Sequence, residues 1–422
     1  MRVHVLGSVA LNGGDAAIMA GQEAMLRRQW PDVTISVSDS DPEAAARYYP
    51  QYEFHPFLYS GIARYRGGRR IDHLRARLVR AHWFAVATLH GRGAARIARA
   101  VSTSEQSALL EPLLSAGVIA YTGGTSLTEN YDLKAKLFDL QIAALLGKTL
   151  AFLPQSAGPF RRPETRSMLR RIFRAADLVL VRDARSHGYV LDVGAAPARS
   201  EVLPDMAFAL VVPPADWPAR NGHAPKLAVS VRSWSHFAEL TPEEGMRRYV
   251  EAVQEAVTRV VRDGGARVSF VSTCQGRPEY WTDDSALAVE IAAGLDPDVR
   301  SAVVVDREPR TPEELLEHLA GFDAMLSTRL HGAILAVCAG VPTLPIAYEF
   351  KTREVWGQLG LDEWVIDIGD VDRDGLADAV TRLLERRADV RAQLSATLPR
   401  QLAGAMSVGP ILAAAYDRRE RA

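Results

Sequence analysis

Short apolar runs recur along the chain, and each is followed by turn residues and then by a longer amphipathic stretch. The first half contains VHVLGS, TISVSD, GVIAYTGG, TLAFLPQS and DLVLVRD, and the second half contains LAVSVR, RVSFVS, AVVVD, AMLSTR and TLPIAY. Continuous apolar strands that alternate with helical patterns are typical of parallel sheets covered by helices on both faces. The pattern therefore predicts an α/β protein built from two Rossmann-like, doubly wound domains.

A segment rich in proline and glycine separates the two sets of strands. PPADWPARNGHAP, residues 213–225, suits a linker better than a helix or a strand. We predict an N-terminal domain over 1–213, a C-terminal domain over 224–390 and terminal helices over 391–422, of which Val408 to Tyr416 return to the first domain. Sheets of this kind bind ligands at the carboxyl ends of their strands, so two such domains predict a shared cleft.

Composition narrows this picture mainly by exclusion. The formal net charge is −1, so no overall field favours nucleic acid, and we expect none as a partner. The two cysteines, Cys274 and Cys338, stand far apart among apolar residues, which indicates buried free thiols in a reducing compartment. The amino-terminal residues lack the pattern of a signal peptide, and no apolar run is long enough to span a bilayer. We therefore predict a cytoplasmic protein.

Polar turns follow several strands of the first half. NGGD leaves backbone N–H groups free to hold an anion, although its aspartate suits a helix N-cap equally well. The hydroxyls of TGGTS could bind a sugar or cap the next helix, and PQS ends another strand at the same edge of the sheet. The candidates for an anion loop or for acceptor contacts are Asn12, Gly14, Asp15, Gly123, Gly124, Thr125, Ser126, Gln155 and Ser156.

Charged residues follow the buried strands of the second half. Arg232 ends LAVSVR, and a guanidinium at such a position must either form an ion pair or point toward a ligand. In STRLHGAILAVCAG, Arg329 and His331 stand where a strand passes into a helix of small residues, whose amino end attracts negative charge. A packed core histidine and a surface ion pair are the ordinary alternatives. The combination favours a site for a small dianion beside an imidazole that can move a proton.

The ordered set of motifs resembles the polysaccharide pyruvyl transferase family. It comprises NGGDAAI, TGGTSL, PQSAGPF, VRDARSHGYVLDVGA, LPDMAF, SVRSW and STRLHGAILAVCAGVPTLPIAYEFK, and it extends from Val3 to about Leu361. The resemblance implies a glycosyltransferase-B-like enzyme of two domains that face a cleft. Such enzymes transfer pyruvate from phosphoenolpyruvate to two hydroxyls of a sugar as a cyclic ketal and release phosphate. Their acceptors are typically exopolysaccharide or cell-wall glycan precursors, often lipid-linked.

The resemblance also implies roles for individual residues. By position, His331 would be the general acid/base, while Arg329 and Arg232 would bind the phosphoenolpyruvate anion close to the backbone of Leu330. Lys351 matches a lysine of the family and is counted with the donor contacts. No spacing of His, Cys and carboxylate residues suits a metal, and we expect no cofactor besides phosphoenolpyruvate as a co-substrate.

Two other functions stay open at this point. A glycosyltransferase-B-type enzyme that uses a nucleotide sugar would have the same architecture, because the fold alone does not separate the donors. A non-catalytic relative that binds a glycan would keep the fold without turnover.

An arginine-rich insert, Phe54 to Ser102, has two interpretations. Its arginines are interleaved with Trp83, Phe84 and Leu89, which could lie on an anionic membrane surface and hold the protein at the inner face of the membrane. Alternatively, the insert is a helical hairpin that packs on its own domain or on a second subunit of a homo-oligomer.

Overall fold

The computed structural model describes residues 1–63, 70–218 and 224–421. This part of the chain forms two compact units. Unit 1 comprises Met1–Ala10, Gln22–Met206 and Gly404–Ala422, and unit 2 comprises Leu11–Gly21 and Ala207–Ala403. Each unit is an α/β fold around a parallel sheet, as the alternation of apolar runs and amphipathic stretches predicts.

The strands of unit 1 are β1 (Arg2–Ser8), β2 (Thr34–Asp39), β3 (Glu53–Pro56), β4 (Val118–Tyr121), β5 (Gly124–Leu127), β6 (Thr149–Ala157), β7 (Leu178–Val181) and β8 (Ser200–Val202). They form a sheet in the order β3-β2-β1-β4-β6-β7-β8, and β5 pairs with β6 beside this path. These strand pairs are parallel. The central strands β4 and β6 are buried throughout, whereas the edge strands β3 and β8 are partly exposed.

The helices of the first part of the chain are α1 (Gly13–Gln29), α2 (Pro42–Tyr48), α3 (Ser60–Ala63), α4 (Arg70–Gly91), α5 (Ala95–Val101), α6 (Ser104–Ser115), α7 (Lys134–Leu145), α8 (Pro163–Ala175) and α9 (Ala184–Val193). Local sequence explains where several of them begin. Thr103 and Gln106 form a reciprocal capping box at the start of α6, and Asp183 accepts a hydrogen bond from the Ser186 N–H at the start of α9.

The sheet of unit 2 has the strand order β11-β10-β9-β12-β13-β14 and is also parallel. Its strands are β9 (Lys226–Ser230), β10 (Arg267–Phe270), β11 (Val303–Val305), β12 (Ala324–Ser327), β13 (Thr343–Ala347) and β14 (Ile366–Asp367). The remaining helices are α10 (Pro242–Arg262), α11 (Asp284–Ala293), α12 (Pro297–Arg300), α13 (Pro312–Leu319), α14 (Leu330–Cys338), α15 (Phe350–Gln358), α16 (Arg373–Glu385) and α17 (Arg387–Glu420).

Two helices of unit 2 show how sequence pattern decides burial. In α10, Tyr249, Val253, Ala256 and Val260 recur at helical spacing and form the buried stripe, while charged residues cover the opposite face. In α14 every residue except His331 is buried, because small side chains let this helix lie close to the sheet.

The division between the units differs from the predicted domain boundaries. The chain enters unit 2 at Ala207, before the predicted linker 213–225. The reason is local packing, since the N–H of Val212 donates to the carbonyl of Cys338 and the ring of Trp217 packs against Gly340. Most of the segment that we expected to be a linker is thus part of unit 2, and residues 219–223 lie outside the described residues.

The division also gives short pieces of the chain to the opposite unit. Leu11–Gly21, which we expected to belong to the N-terminal domain, lies in unit 2. The carboxyl-terminal stretch from Gly404, which contains the last part of α17, lies in unit 1, where Tyr416 packs beside Gly117.

The arginine-rich insert begins within β3 and continues as the helices α3, α4 and α5, and residues 64–69 lie outside the described residues. Trp83 is 1% exposed and stacks edge-on against Phe138, together with Phe84. Trp83 is therefore not available to a membrane surface, and α4 packs on its own unit. Membrane contact through other side chains stays a prediction. Within the described ranges, no helix is both long and apolar enough to cross a bilayer.

Candidate active site

The carboxyl ends of neighbouring strands bring the charged residues of unit 2 together. Ser230 of β9 pairs in register with Ser327 of β12, and the N–H of Thr328 donates to the carbonyl of Ser230. Arg232 and Arg329 therefore leave their strands at the same level of the sheet. Tyr348 follows β13, which lies next to β12. The parallel sheet thus places Arg232, Arg329 and Tyr348 at the carboxyl ends of its strands, where ligands bind in folds of this class.

Arg232 is a partly exposed cation held by aromatic rings. Its guanidinium carbon lies 4.4 Å from the ring centroid of Tyr348 and 5.6 Å from that of Trp234, and its Nη1 donates to the Tyr348 hydroxyl. No carboxylate forms an ion pair with Arg232 within the described ranges. Stacking fixes the plane of the guanidinium without neutralising it, so the charge is available to an anionic ligand.

Arg329 has a different environment from the one we expected. Its side chain is buried, with Nε 2.7 Å from Oδ2 of Asp284 and Nη2 2.6 Å from Oδ1. Ser272 donates a further hydrogen bond to the same carboxylate. This bidentate pair compensates the charge of Arg329 and engages its Nε and Nη2, and the donor contact assigned to Arg329 stays a prediction. Asp284, at the start of α11, was missed because nothing in the sequence links it to position 329.

His331 lies at the amino end of α14 and faces the amino end of α1. A Cβ atom at Gly14 would stand 2.7 Å from Nδ1 of the ring, so only a glycine leaves room for the imidazole. The ring is partly exposed. The amino ends of α1 and α14, which carry the positive ends of the helix dipoles, thus both lie beside this imidazole, an arrangement that favours a bound anion.

Asn12, in the loop before α1, connects this loop to the segment that precedes α11. Its Nδ2 donates to the Tyr280 hydroxyl at 2.9 Å, and its Oδ1 accepts from the N–H of Gly14 at 2.9 Å. Burial raises the pKa of Tyr280 to about 12, so its hydroxyl stays protonated at neutral pH. The predicted anion loop Asn12, Gly14 and Asp15 thus lies beside the predicted general acid/base.

The two further predicted donor contacts are Lys351 and the backbone of Leu330. Lys351 is 8% exposed and its Nζ lies 2.6 Å from Oε2 of Glu349, so part of its charge is already compensated. Its Nζ is also 5.3 Å from the ring centroid of Tyr348. Leu330 is the first residue of α14 and is buried. The donor roles assigned to Lys351 and to the backbone of Leu330 stay predictions.

In unit 1, several predicted acceptor contacts belong to a buried network around Arg182. This arginine forms an ion pair with Asp205, and it donates from Nη2 to Thr125 at 2.7 Å and from Nε to Ser156 at 2.9 Å. Ser156 in turn donates to Asp183 at 2.7 Å. The motifs VRDARSHG and LPDMAF thus supply internal partners, a structural role that their sequence did not indicate.

Exposure separates the predicted acceptor residues of unit 1. Gln155 and Ser156 are 1% and 0% exposed, which is too buried to contact a bound sugar in this structure. Ser126 is partly exposed, with its hydroxyl 2.7 Å from that of Tyr121. Gly124 has a φ of +94°, a backbone conformation that requires glycine. Thr125 and Ser126 are thus the partly exposed members of the set, whereas Gly123, Gly124, Gln155 and Ser156 are buried, and the acceptor roles assigned to these residues stay predictions.

Among the described residues, no group of three or more His, Cys, Asp and Glu side chains is arranged to hold a metal ion. The expectation that the protein works without a metal stays a prediction.

The candidate site, with a cation and an imidazole at the strand ends of one parallel sheet, lies in a Rossmann-like α/β unit. The sequence profile of the polysaccharide pyruvyl transferase family matches residues 12–349, so the chain belongs to this family. The matched range includes Asn12, Arg232 and His331, and it ends at Glu349, just before Lys351.

The chain is also similar to individual proteins in sequence or in fold. The amylovoran biosynthesis protein AmsJ of Erwinia amylovora is 22% identical over 410 residues, which cover 94% of this chain and 95% of that protein. The described fold is similar to UDP-GlcNAc 2-epimerase of Neisseria meningitidis bound to UDP-GlcNAc, with a TM-score of 0.58 at 9% identity over 97% of this chain and 98% of that one. It is also similar to the Methanocaldococcus jannaschii UDP-GlcNAc 2-epimerase, with a TM-score of 0.52 at 10% identity over 91% and 93% of the two chains. The fold class is therefore glycosyltransferase-B-like.

Proposed function

We propose that this protein transfers pyruvate from phosphoenolpyruvate to two hydroxyls of a sugar, forming a cyclic ketal and releasing phosphate. The acceptor is a glycan or a glycan precursor, lipid-linked or free. One observation carries the proposal. The amino ends of α1 and α14 adjoin the ring of His331, at the carboxyl ends of the strands, where Arg232 also lies.

The charge of the site suits a small polyanion. Phosphoenolpyruvate carries a carboxylate and a phosphate, and Arg232 offers a planar fork of donors that is not paired with a carboxylate in the described ranges. The amino end of α14 offers N–H donors for the second anionic group. In this proposal Arg329 acts through Asp284, keeping the backbone at the start of α14 in place, and not as a free cation.

The proposed reaction needs proton transfers at three points. Protonation of the methylene carbon of phosphoenolpyruvate makes the neighbouring carbon electrophilic, and one sugar hydroxyl attacks that carbon with loss of its proton. Phosphate then leaves with the electrons of its C–O bond, and the second hydroxyl closes the ketal and loses its own proton. His331 is the group that gives and receives these protons, because an imidazole can be both acid and base near neutral pH.

This chemistry uses no metal and no organic cofactor. Phosphoenolpyruvate is a metabolite of the cytoplasm, so the proposal places the reaction there, at the inner face of the membrane when the acceptor is lipid-linked.

The test is a coupled measurement on the purified chain. Phosphate release from phosphoenolpyruvate is followed across a panel of glycosides, and the products are examined by mass spectrometry for a gain of pyruvate less one water. Release that depends on the acceptor, together with that mass gain, supports the proposal. Phosphoenolpyruvate that stays intact with every glycoside contradicts it.

A second candidate is a reaction with a nucleotide sugar, because a solved structure of similar fold is bound to UDP-GlcNAc. The likeness is one of fold, at 9% identity. Calorimetry with UDP-GlcNAc, UDP-glucose and phosphoenolpyruvate separates the two candidates, since only the proposed function predicts binding of phosphoenolpyruvate. Glycan binding with no turnover on any acceptor would favour a non-catalytic relative.

A further inference from the structure

Trp281 is an exposed aromatic side chain close to the candidate active site. It is 79% exposed, more than any other large hydrophobic residue in the described ranges. Its ring lies against that of Tyr280, with centroids 4.4 Å apart and planes inclined by 43°. An indole in water forgoes the stabilisation that burial would bring, so a protein that displays one at a site edge has an aromatic face to offer a ligand.

A short chain of contacts joins this ring to His331. Trp281 stacks on Tyr280, the Tyr280 hydroxyl accepts from Asn12, and Asn12 accepts from the N–H of Gly14, which lies against the imidazole. All of these residues belong to unit 2. The exposed indole is therefore held at a defined place relative to the proposed acid/base.

The loop that carries the two rings is anchored at both ends. Before the rings, Nε2 of Gln275 donates to the carbonyl of Asp306 at 2.9 Å. After them, Asp283 caps α11 by accepting from the N–H of Ser285 at 2.9 Å. Between these points the N–H of Tyr280 donates to the carbonyl of Arg277 and closes a turn. These bonds reduce the entropy lost when a ligand packs on the aromatic pair.

The surroundings of the indole indicate which ligand suits it. Asp283, two residues after the indole, accepts hydrogen bonds from the N–H and the hydroxyl of Ser285 and lies within 3.6 Å of Arg307, so its carboxylate belongs to the protein's own contacts. The indole itself offers an apolar face, and a pyranose ring is neutral and packs its C–H groups on such a face while its hydroxyls stay hydrated at the rim. The chemistry is therefore that of a neutral sugar ring.

We propose that the Tyr280–Trp281 pair is an acceptor subsite, on which the sugar ring of the glycan stacks during transfer. That the bound sugar is the acceptor of the reaction rests on the proposed function. The pair adds a candidate sugar contact in unit 2 to the candidate contacts in unit 1. Binding at this pair can be measured without any transfer of pyruvate.

The first experiment observes Trp281 directly. The chain contains seven tryptophans, so protein labelled with 5-fluorotryptophan has a small set of fluorine resonances, and the one missing from Trp281→Phe identifies position 281. The labelled protein is titrated with the methyl glycosides of glucose, galactose and mannose, with lactose and cellobiose, and separately with UDP. We expect a glycoside to shift the Trp281 resonance in the absence of phosphoenolpyruvate.

The second experiment uses turnover. Loss of an aromatic contact of this kind corresponds to roughly a tenfold change in affinity, so Trp281→Ala should raise the KM for the acceptor about tenfold. The KM for phosphoenolpyruvate should not change, and Trp281→Phe should retain most of the wild-type acceptor affinity. Val304→Ala is the matched control, because Val304 is a 60% exposed apolar side chain of the same unit on the edge strand β11.

The outcomes separate this inference from the proposed function. Glycosides that shift the Trp281 resonance in a protein that releases no phosphate from phosphoenolpyruvate would support the subsite and contradict the reaction. Transfer with an unchanged acceptor KM in Trp281→Ala would support the reaction and overturn the subsite. The subsite is also overturned when no glycoside moves the Trp281 resonance, or when UDP moves it and the glycosides do not.

Discussion

Gly14 and His331 are in contact, although they stand near opposite ends of the family match. A methyl group on Gly14 would lie 2.7 Å from Nδ1 of the imidazole, too close for the ring to keep its position. The contact means that the glycine-rich loop at the start of the chain shapes the space around the proposed acid/base, and it leads to the first prediction.

Gly14→Ala should lower turnover by about 100-fold, because a displacement of the catalytic group by about 1 Å has an effect of this size. The measurement is acceptor-dependent phosphate release. Gly188→Ala is the matched control, since a Cβ there meets nothing within 4 Å and Gly188 lies within α9. The control should keep full activity and gain about 0.5–1 kcal/mol of stability. Equal activity in both variants would show that the contact with His331 has no catalytic consequence.

His331→Ala should lower turnover by about 100- to 10,000-fold, the range expected for loss of a general acid/base. Phosphoenolpyruvate affinity, measured by calorimetry, should stay close to that of the wild type, because Arg232 and the helix amino ends remain. His90→Ala, in α4 of unit 1, is the control and should match the wild type in both measurements. A variant at position 331 that keeps the wild-type rate would remove His331 from the mechanism.

Arg232→Lys should raise the KM for phosphoenolpyruvate nearly as much as Arg232→Ala, by about tenfold or more. Lysine retains the charge but loses the planar group that stacks on Tyr348 and donates to its hydroxyl. Steady-state kinetics at varied phosphoenolpyruvate measure the effect. Arg267→Lys, at the first residue of β10 and thus at the opposite end of the strands, is the control. Full rescue by lysine would mean that charge alone is required.

Asp284→Asn should lower the free energy of unfolding by about 3–5 kcal/mol, because it leaves the buried guanidinium of Arg329 without a counter-charge. Urea titration followed by circular dichroism measures this loss. Asp298→Asn breaks an exposed ion pair with Arg262 and should leave the unfolding midpoint nearly unchanged. Similar midpoints for the two variants would contradict the structural role assigned to the Asp284–Arg329 pair.

Asp139 makes stability depend on pH. Burial raises the pKa of its carboxyl group to about 8, even though it accepts hydrogen bonds from the N–H groups of Leu58 and Tyr59. Below about pH 4 the group is protonated in both the folded and the unfolded chain. Between about pH 4 and pH 8 only the unfolded chain ionises readily, so this group lowers the free energy of unfolding as the pH rises.

Asp139→Asn keeps the shape of the side chain and removes the ionisation. The variant should therefore gain stability relative to the wild type as the pH rises from about 4 to about 8, and the difference should level off above that. Urea titrations of both proteins at a series of pH values measure the difference. A difference that is constant over this range would show that Asp139 ionises at its ordinary pKa.

Much of the fold and part of the site could be predicted from local pattern. Buried parallel strands appear as continuous apolar runs, and β4, β6, β12 and β13 are buried along their whole length as those runs predict. The position of His331 at the amino end of a small-residue helix was also readable, because the strand-to-helix change occurs within a few residues.

Local pattern could not show which partner each polar side chain would find. Ser156 and Thr125 have the composition of a binding turn, yet Arg182 and Asp183 from the following strand and turn engage them. Arg329 has the position of a ligand contact, yet Asp284 neutralises it. Such pairings depend on which segments lie side by side, and hydrophobic periodicity carries no information about that.

By itself the sequence determined the alternation of strands and helices, because backbone preference and apolar spacing act over a few neighbouring residues. Only the tertiary structure decided that Leu11–Gly21 belongs to unit 2, that Gly14 meets His331, and that Trp281 is exposed beside them. These features depend on packing between distant segments, where the shape of one surface selects the other. The chain carries the residues of the site in its sequence, but the fold determines which of them are open to a ligand.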